Sequence, residues 1–245
     1  MEPTSVSADL KDYLILKCSL FRGLGREARA EVGARAAHRH VERKEVFFRE
    51  GQPASVFYLL YSGRVKLFQV DGGGQEVIER LIGPGQFCGW LGLPITEGYP
   101  ATAMALEPSE ALAWEKKDLD ELFARHPELT QNALRIQARR LRERDERYRE
   151  LATLRVAERL ALTLLRLVYP HGRRFEDGIY DDVPLSRADL AQLTGTTLFT
   201  VSRLLSDWES RGLVTARRGS VRVEDFRGLQ GLASDGPNGR SPRRH

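Results

Sequence analysis

The pattern of the chain changes near residue 119, and that change limits the folds open to it more than any other feature. Before it, short runs of β-branched and aromatic residues alternate with glycines. Val46-Phe47-Phe48, Val56-Phe57-Tyr58-Leu59-Leu60, Val65-Lys66-Leu67-Phe68 and Val77-Ile78 are separated by Gly51, Gly63, Gly72 to Gly74, Gly83 and Gly85. Short strands with turn residues between them predict a compact antiparallel roll or barrel. After Leu119 the apolar residues recur at helical spacing. The whole reads as an α+β chain, and 245 residues suit two modest domains. The triple glycine after Asp71 predicts a hairpin turn. It is not a phosphate-binding loop, because no helix pattern or Gly-Lys-Ser/Thr follows it.

Residues 13 to 37 predict short helices around Leu20, Phe21 and Leu24. After His126-Pro127, a long charged helix is expected from Glu128 to about Ala152. Leu134, Leu141 and Tyr148 recur on it every seven residues, with Leu129 and Ile136 forming a second step beside them. A narrow apolar stripe on a charged helix suits pairing with a second copy, or docking on the chain's own sheet. A further helix, from about Arg155 to Val168, carries Val156, Leu160, Leu164 and Leu167 as core residues.

The segment Ser186 to Val223 carries the chemistry. Ser186 is an N-cap candidate with Asp189 three residues on, where the helix dipole favours an acid. Leu190, Ala191 and Leu193 give a short amphipathic helix, which Thr194-Gly195-Thr196 breaks. A second helix follows from about Thr197 to Ser210, burying Val201, Leu204, Leu205 and Trp208. Two short helices joined by a tight glycine turn form a helix-turn-helix. Thr197, Leu198, Thr200, Ser202 and Arg203 then lie on the exposed N-terminal face. Hydroxyls there can bond phosphates, and a guanidinium can grip guanine O6 and N7. Arg217-Arg218-Gly219-Ser220 reads as a wing with a basic tip, suited to the DNA backbone. Ser186, Arg187, Thr197, Arg217 and Arg218 are the phosphate candidates.

In this order, several segments together resemble the Crp/Fnr family of bacterial transcription regulators. They are Gly51…Val56-Phe57-Tyr58-Leu59-Leu60-Tyr61-Ser62-Gly63-Arg64-Val65, Gly85-Gln86-Phe87-Cys88-Gly89, Ala138-Arg139-Arg140-Leu141, Leu185-Ser186-Arg187-Ala188-Asp189-Leu190-Ala191 and Thr200-Val201-Ser202-Arg203-Leu204-Leu205. The resemblance implies a cyclic-nucleotide-binding-like β-roll, a long dimerisation helix and a C-terminal winged helix-turn-helix. The expected layout is a disordered N-terminus (1–12), an effector-sensing β-roll (13–125), a dimerisation helix (126–153), the DNA-binding domain (154–230) and a disordered tail (231–245). Leu134, Ala138, Leu141 and Tyr148 would form the dimer interface. The homodimer would bind near-palindromic double-stranded promoter DNA, and RNA polymerase if it is an activator. A signal felt near Trp90 would shift how the long helices pair and turn the DNA-binding heads about a junction near Ala152 to Arg155.

Cys88, Gly89, Trp90, Leu91, Tyr99 and Thr102 stand at the expected effector pocket. The cyclic-AMP-binding members carry a Glu for the ribose and an Arg for the cyclic phosphate. Here Trp90 stands in place of the Glu and Pro100 near that of the Arg, and Arg144 and Asp145 replace small hydroxyl residues on the long helix. Cyclic AMP is therefore not the expected effector. Trp90, Leu91, Leu93, Tyr99 and Met104 either line an apolar pocket or fill it. Haem is a second reading, with His38, His40, His126 and Cys88 as available axial ligands. His38 and His40 read as solvated helix residues, His126 as a loop residue and Cys88 as a small buried one. An iron–sulfur cluster is disfavoured, as is any site needing four thiolates, because the chain has 2 cysteines, Cys18 and Cys88. No metal site is expected.

No His-Glu-x-x-His, Gly-x-Ser-x-Gly or P-loop is present, so no enzyme is expected. A cyclic-nucleotide-binding regulatory subunit acting on a protein would share the roll but has no need of a winged helix-turn-helix. With no membrane-spanning run and no signal-peptide pattern, a cytoplasmic location is expected.

Overall fold

The computed structural model describes residues 6–89, 98–168 and 183–234. The chain forms two compact units, Met1–Arg142 and Glu143–His245.

The first unit opens with helix α1 (Ala8–Lys17), a 3-10 turn (Ser19–Phe21) and α2 (Arg26–Ala34). Among the described residues, eight strands follow: β1 (Ala37–Val41), β2 (Val46–Phe48), β3 (Val56–Ser62), β4 (Val65–Val70), β5 (Glu76–Ile82), β6 (Phe87–Gly89), β7 (Thr102–Ala105) and β8 (Ser109–Glu115). They make two four-stranded sheets with the orders β1-β8-β3-β6 and β2-β7-β4-β5. All their pairings are antiparallel. This is the roll that the strand spacing predicts. Helix α3 (Lys116–Arg125) and the first half of α4 (Pro127–Thr153) complete the unit.

Strands β8, β3 and β6 of the first sheet are buried on both faces, and side-chain alternation sorts their residues between two cores; the edge strand β1 is largely exposed. Phe57 and Leu59 of β3, Leu112 and Trp114 of β8 and Phe87 of β6 face the helices. Tyr58, Leu60, Ala111 and Cys88 face the other way, into the roll with Phe47, Phe48, Val65 and Ile82. Trp114 is fully buried, and its Nε1–H donates to the Val32 carbonyl at 2.8 Å, so burying the indole leaves no donor unpaired. Asn132 fixes α4 on the helical side, its Nδ2 donating to the Leu20 and Arg22 carbonyls at 2.9 and 2.7 Å. The β4–β5 hairpin turns at the triple glycine. Asp71 Oδ1 accepts from the Gly73 and Gln75 amides at 2.8 and 2.9 Å, so these tip donors are satisfied internally.

Several expectations are corrected here. Helix α1 begins at Ala8, inside the stretch 1–12 expected to lack structure. Ser7 caps it, and Leu14 and Ile15 are buried against α2 and the roll. His38 and His40 lie on β1 and not on a helix, because the segment pairs with β8 through His38↔Leu112 and His40↔Glu110. At the other end, α8 (Phe226–Ser234) carries helix four residues past 230. The division between the compact units falls after Arg142, within α4, whereas a junction at 153/154 was expected. The physical reason is that the two ends of α4 have different packing partners. Leu129, Ala133 and Ile136 are buried in the core of the first unit. In the second unit, Glu150 pairs with Arg166, and Leu151 lies beside Gly195.

The second unit contains the end of α4, α5 (Val156–Val168), α6 (Arg187–Thr194), α7 (Leu198–Ser210), the hairpin β9 (Val214–Arg217) and β10 (Ser220–Val223), and α8. Its buried side chains include Leu160, Leu164, Leu190, Val201, Leu205, Trp208, Val223 and Leu229. Leu204, expected in the core, is half-buried. Val183 pairs with Val221 through two backbone bonds of 2.8 and 2.9 Å, placing a third extended segment beside the hairpin.

Candidate nucleic-acid interface

Local chemistry fixes both helices of the α6–α7 pair. The Asp189 amide donates to Ser186 Oγ at 3.1 Å, and the Ser186 amide donates to Asp189 Oδ2 at 2.9 Å. This reciprocal cap satisfies two donors at the start of α6. The Ser186 hydroxyl also donates to Asp189 Oδ2 at 2.6 Å, so it serves the cap first. Gly195 ends α6 at φ +61, a left-handed conformation that costs a residue with a Cβ about 1–2 kcal/mol. The Gly195 amide bonds the Gln192 carbonyl at 3.3 Å and the Thr196 amide bonds Ala191 at 3.0 Å, which closes the helix end. Thr197 then caps α7, its Oγ1 accepting from the Thr200 amide at 3.2 Å and contacting the Thr200 hydroxyl at 2.9 Å. The hydroxyls of Thr197 and Thr200 are therefore engaged with each other.

Helix α7 buries Val201, Leu205 and Trp208 on one side. Thr197, Leu198, Phe199 and Arg203 are exposed on the other, and Thr200 and Ser202 are half-buried. The helix thus presents an arginine, hydroxyls and two large apolar side chains to the outside. Phe199 is 77% exposed; of the pair Leu198-Phe199 that follows the turn, the sequence placed Leu198 alone among the DNA-contacting residues. The signal was available, because Phe199 precedes Arg203 by four residues and so shares its face. Arg187, in the first turn of α6, is half-buried. The β9–β10 hairpin turns at Arg218-Gly219 with Arg217 paired to Ser220, so both arginines stand at its tip. The arrangement is a helix-turn-helix followed by a basic wing.

The residues expected around the effector pocket have other duties where they are described. Tyr99 is buried and stacks on Phe48 with ring centroids 3.9 Å apart. Its hydroxyl accepts from the Ser55 and Val56 amides at 3.2 and 2.9 Å and donates to the Val56 carbonyl at 3.1 Å. Thr102 Oγ1 accepts from the Glu50 amide at 3.1 Å. Gly89 lies against β3, where a Cβ would stand 2.3 Å from the Val56 carbonyl oxygen. Pro100 is exposed, and its carbonyl accepts from Gln69 Nε2 at 2.7 Å. Met104 is half-buried on β7. Trp90, Leu91 and Leu93 lie outside the described residues.

Cys88 is buried inside the roll. Burial pushes its thiol up to about 12, against the pull of the Arg80 and Arg140 guanidiniums. Arg80 was not singled out from the sequence, and Arg140 only as part of the Ala138-Arg139-Arg140-Leu141 motif. Arg80 donates to the Phe87 carbonyl at 3.3 Å, and Arg140 lies over the Phe87 ring at 5.0 Å. Of the other haem-ligand candidates, His40 Nε2 contacts Glu42 at 3.1 Å, His38 lies 3.9 Å from Glu110, and His126 caps the end of α3 beside Glu31. Among the described residues, no group of three or more His, Cys, Asp or Glu is arranged to hold a metal ion.

On α4, Leu134, Leu141 and Tyr148 are exposed at 56%, 58% and 76%, and Ala138 between them is exposed too. Leu129 and Ile136 are buried. The two apolar steps seen in sequence therefore serve different faces.

A β-roll joined by a long helix to a winged helix-turn-helix defines a DNA-binding transcription regulator, not an enzyme. Residues 38–126 match the cyclic nucleotide-binding domain family, and residues 158–232 match the Crp-like helix-turn-helix domain. The chain is 31% identical to the transcriptional activator protein FnrA of Stutzerimonas stutzeri over 195 residues, 80% of each protein. It is 33% identical to the cyclic AMP receptor protein of Thermus thermophilus over 190 residues, 78% of this chain and 84% of that one. Its fold matches the structure of FixK2 from Bradyrhizobium japonicum with a TM-score of 0.70 at 22% identity, covering 80% of this chain and 96% of that one. The chain belongs to the Crp/Fnr family of transcription regulators.

Proposed function

We propose that this regulator acts as a homodimer on near-palindromic promoter sites, with half-sites about one helical turn apart, under a signal received by the roll. The observation that carries the dimer is the exposed stripe Leu134, Ala138, Leu141 and Tyr148 on α4. Its residues repeat on one face of a helix whose other apolar face is already buried. Leaving so many large apolar side chains in water is costly, and a second α4 supplies the complementary stripe. Ser186, Arg187, Thr197, Arg217 and Arg218 contact phosphates, while Leu198, Thr200, Ser202 and Arg203 face the bases. Arg203 grips guanine O6 and N7.

Cyclic AMP is not the signal in this reading. The cyclic phosphate needs a guanidinium where this chain has Pro100, and the hydroxyl of Tyr99 is spent on backbone groups. The signal acts by favouring one of two pairings of the long helices, which reorients the DNA-binding heads. The protein works in the cytoplasm, and if it activates transcription it touches RNA polymerase.

Selection of binding sites from a randomised duplex library by the full-length protein tests this. Enrichment of a two-fold symmetric site with half-sites roughly 10–10.5 base pairs apart supports it. Enrichment of a single asymmetric half-site, or of nothing, overturns it. Calorimetry showing tight binding of one cyclic AMP per subunit would overturn the exclusion of that ligand.

A further inference from the structure

Two large apolar side chains, Leu198 and Phe199, open the recognition helix and are exposed. Phe199 is 77% exposed and Leu198 54% exposed, in the first turn of α7. Neither is needed for the fold of the unit, whose core takes Val201, Leu205 and Trp208 from the opposite side of the helix. Phe199 lies one turn before Arg203 and shares its face, and Ser202 lies between them in sequence. The N-terminal residues of a recognition helix approach the base edges most closely. A phenyl ring there offers no donor or acceptor. The one apolar group on the major-groove edge of a base pair is the C5-methyl of thymine, or its equivalent on 5-methylcytosine.

We propose that Phe199 is a specificity-determining residue that reads a pyrimidine C5-methyl in the base pairs beside the one gripped by Arg203. This rests on the reading of α7 as the recognition helix and adds the chemistry of the neighbouring positions. The ring covers the methyl and excludes water from it, so the preference comes from burial and not from hydrogen bonding. Because the opening of α7 carries no charged side chain, this half of the contact is insensitive to salt, unlike the arginines of the wing.

The test uses the full-length protein and the duplex enriched by the library selection. Each thymine of a half-site is replaced singly by uracil, which keeps every hydrogen-bonding group and lacks only the methyl. Burial of one methyl corresponds to about fourfold in affinity. Uracil at one or two adjacent positions is expected to weaken wild-type binding by about fourfold each. Phe199→Ala is expected to bind the thymine and uracil duplexes equally, and Phe199→Leu to keep part of the difference. Phe199 is exposed, so both variants should melt like the parent, which a thermal scan checks.

If no uracil substitution affects the wild type, the inference fails while the DNA-binding reading stands. It fails as well if Phe199→Ala keeps the discrimination and Leu198→Ala loses it, since Leu198 would then be the reader. Loss of self-association by Phe199→Ala in DNA-free sedimentation would place the ring in a protein interface and also overturn it. If the library yields no enriched sequence, the function reading itself has failed and this inference with it.

Discussion

Arg159 of α5 joins two helix ends, its Nε donating to the Thr194 carbonyl at 2.9 Å and its Nη1 to the Leu154 carbonyl at 2.7 Å. Thr194 is the last residue of α6, and Leu154 directly follows α4. One guanidinium thus satisfies a terminal carbonyl of the helix-turn-helix and another at the junction with the long helix. A cation at helix C-termini also meets the negative ends of their dipoles.

Replacing Arg159 by Met keeps the aliphatic stem and removes both bonds. Hydrogen bonds to charged groups are worth roughly 1.5–3 kcal/mol each, and partial exposure lets water recover some of that. A loss of about 2 kcal/mol in urea unfolding is expected, with Arg159→Lys falling between the two. An Arg159→Met protein that unfolds at the parent's urea midpoint would show that the bonds contribute nothing.

Gly195 is expected to resist substitution for two separable reasons. Its φ of +61 penalises any Cβ, and a Cβ there would stand 2.8 Å from Leu151 Cδ2. The leucine tip can move, so the backbone should dominate, and Gly195→Ala should cost about 1–2 kcal/mol. Combining it with Leu151→Ala separates the reasons: the double variant removes the contact and should keep most of the penalty. Full additivity of the two losses would rule out any clash with Leu151.

Cys18 and Cys88 are both buried, and burial holds each thiol near 12. At pH 8 neither should react with a thiol reagent until the protein is unfolded, since the thiolate is the nucleophile. The sign of the pH dependence follows from linkage. Above the ordinary thiol pKa, roughly 8.5, the unfolded chain loses protons that the folded chain keeps. Stability should therefore fall as pH rises from about 9 towards 12, and substituting Ala at both positions should flatten that decline. Rapid modification of the native protein at pH 8 would contradict the burial.

Leu141→Glu should weaken dimerisation without unfolding the subunit, because Leu141 is 58% exposed. Two facing carboxylates would repel where two leucines would pack. Sedimentation equilibrium is the readout, and an unchanged dimer constant would remove Leu141 from the interface.

On DNA, Arg203→Ala should reduce the preference for the selected site over random duplex more than it reduces general affinity. Arg218→Ala should weaken all sequences alike and lower the salt slope by about 1. A uniform loss from Arg203→Ala would make it a phosphate contact.

The DNA-binding half was legible because its signals are local. Ser186 with Asp189 and Gly195 each act within four residues of sequence and form the cap and turn that their spacing predicts; Thr197, expected as the first residue of the second helix, is instead its N-cap, bonded to Thr200. Strands β2, β3, β4 and β5 of the roll were legible as runs bounded by glycines, whereas β1, β6, β7 and β8 were not. The failures lie where partners are distant. That residues 37–41 become a strand depends on β8, some seventy residues away. The duty of Tyr99 depends on the Ser55 and Val56 amides, more than forty residues earlier.

The sequence by itself determined the change from strands to helices and the helix-turn-helix with its wing, which rest on hydrophobic period and short-range capping that a linear chain records directly; the family came from the resemblance of several motifs in their order. The tertiary structure decided which apolar step of α4 is buried in the first unit and which stays exposed, and that Leu204 is only half-buried while Val201 and Leu205 lie within the core. Those assignments follow from which surfaces remove each side chain from water. Helical spacing gives every residue a face but does not say what covers it.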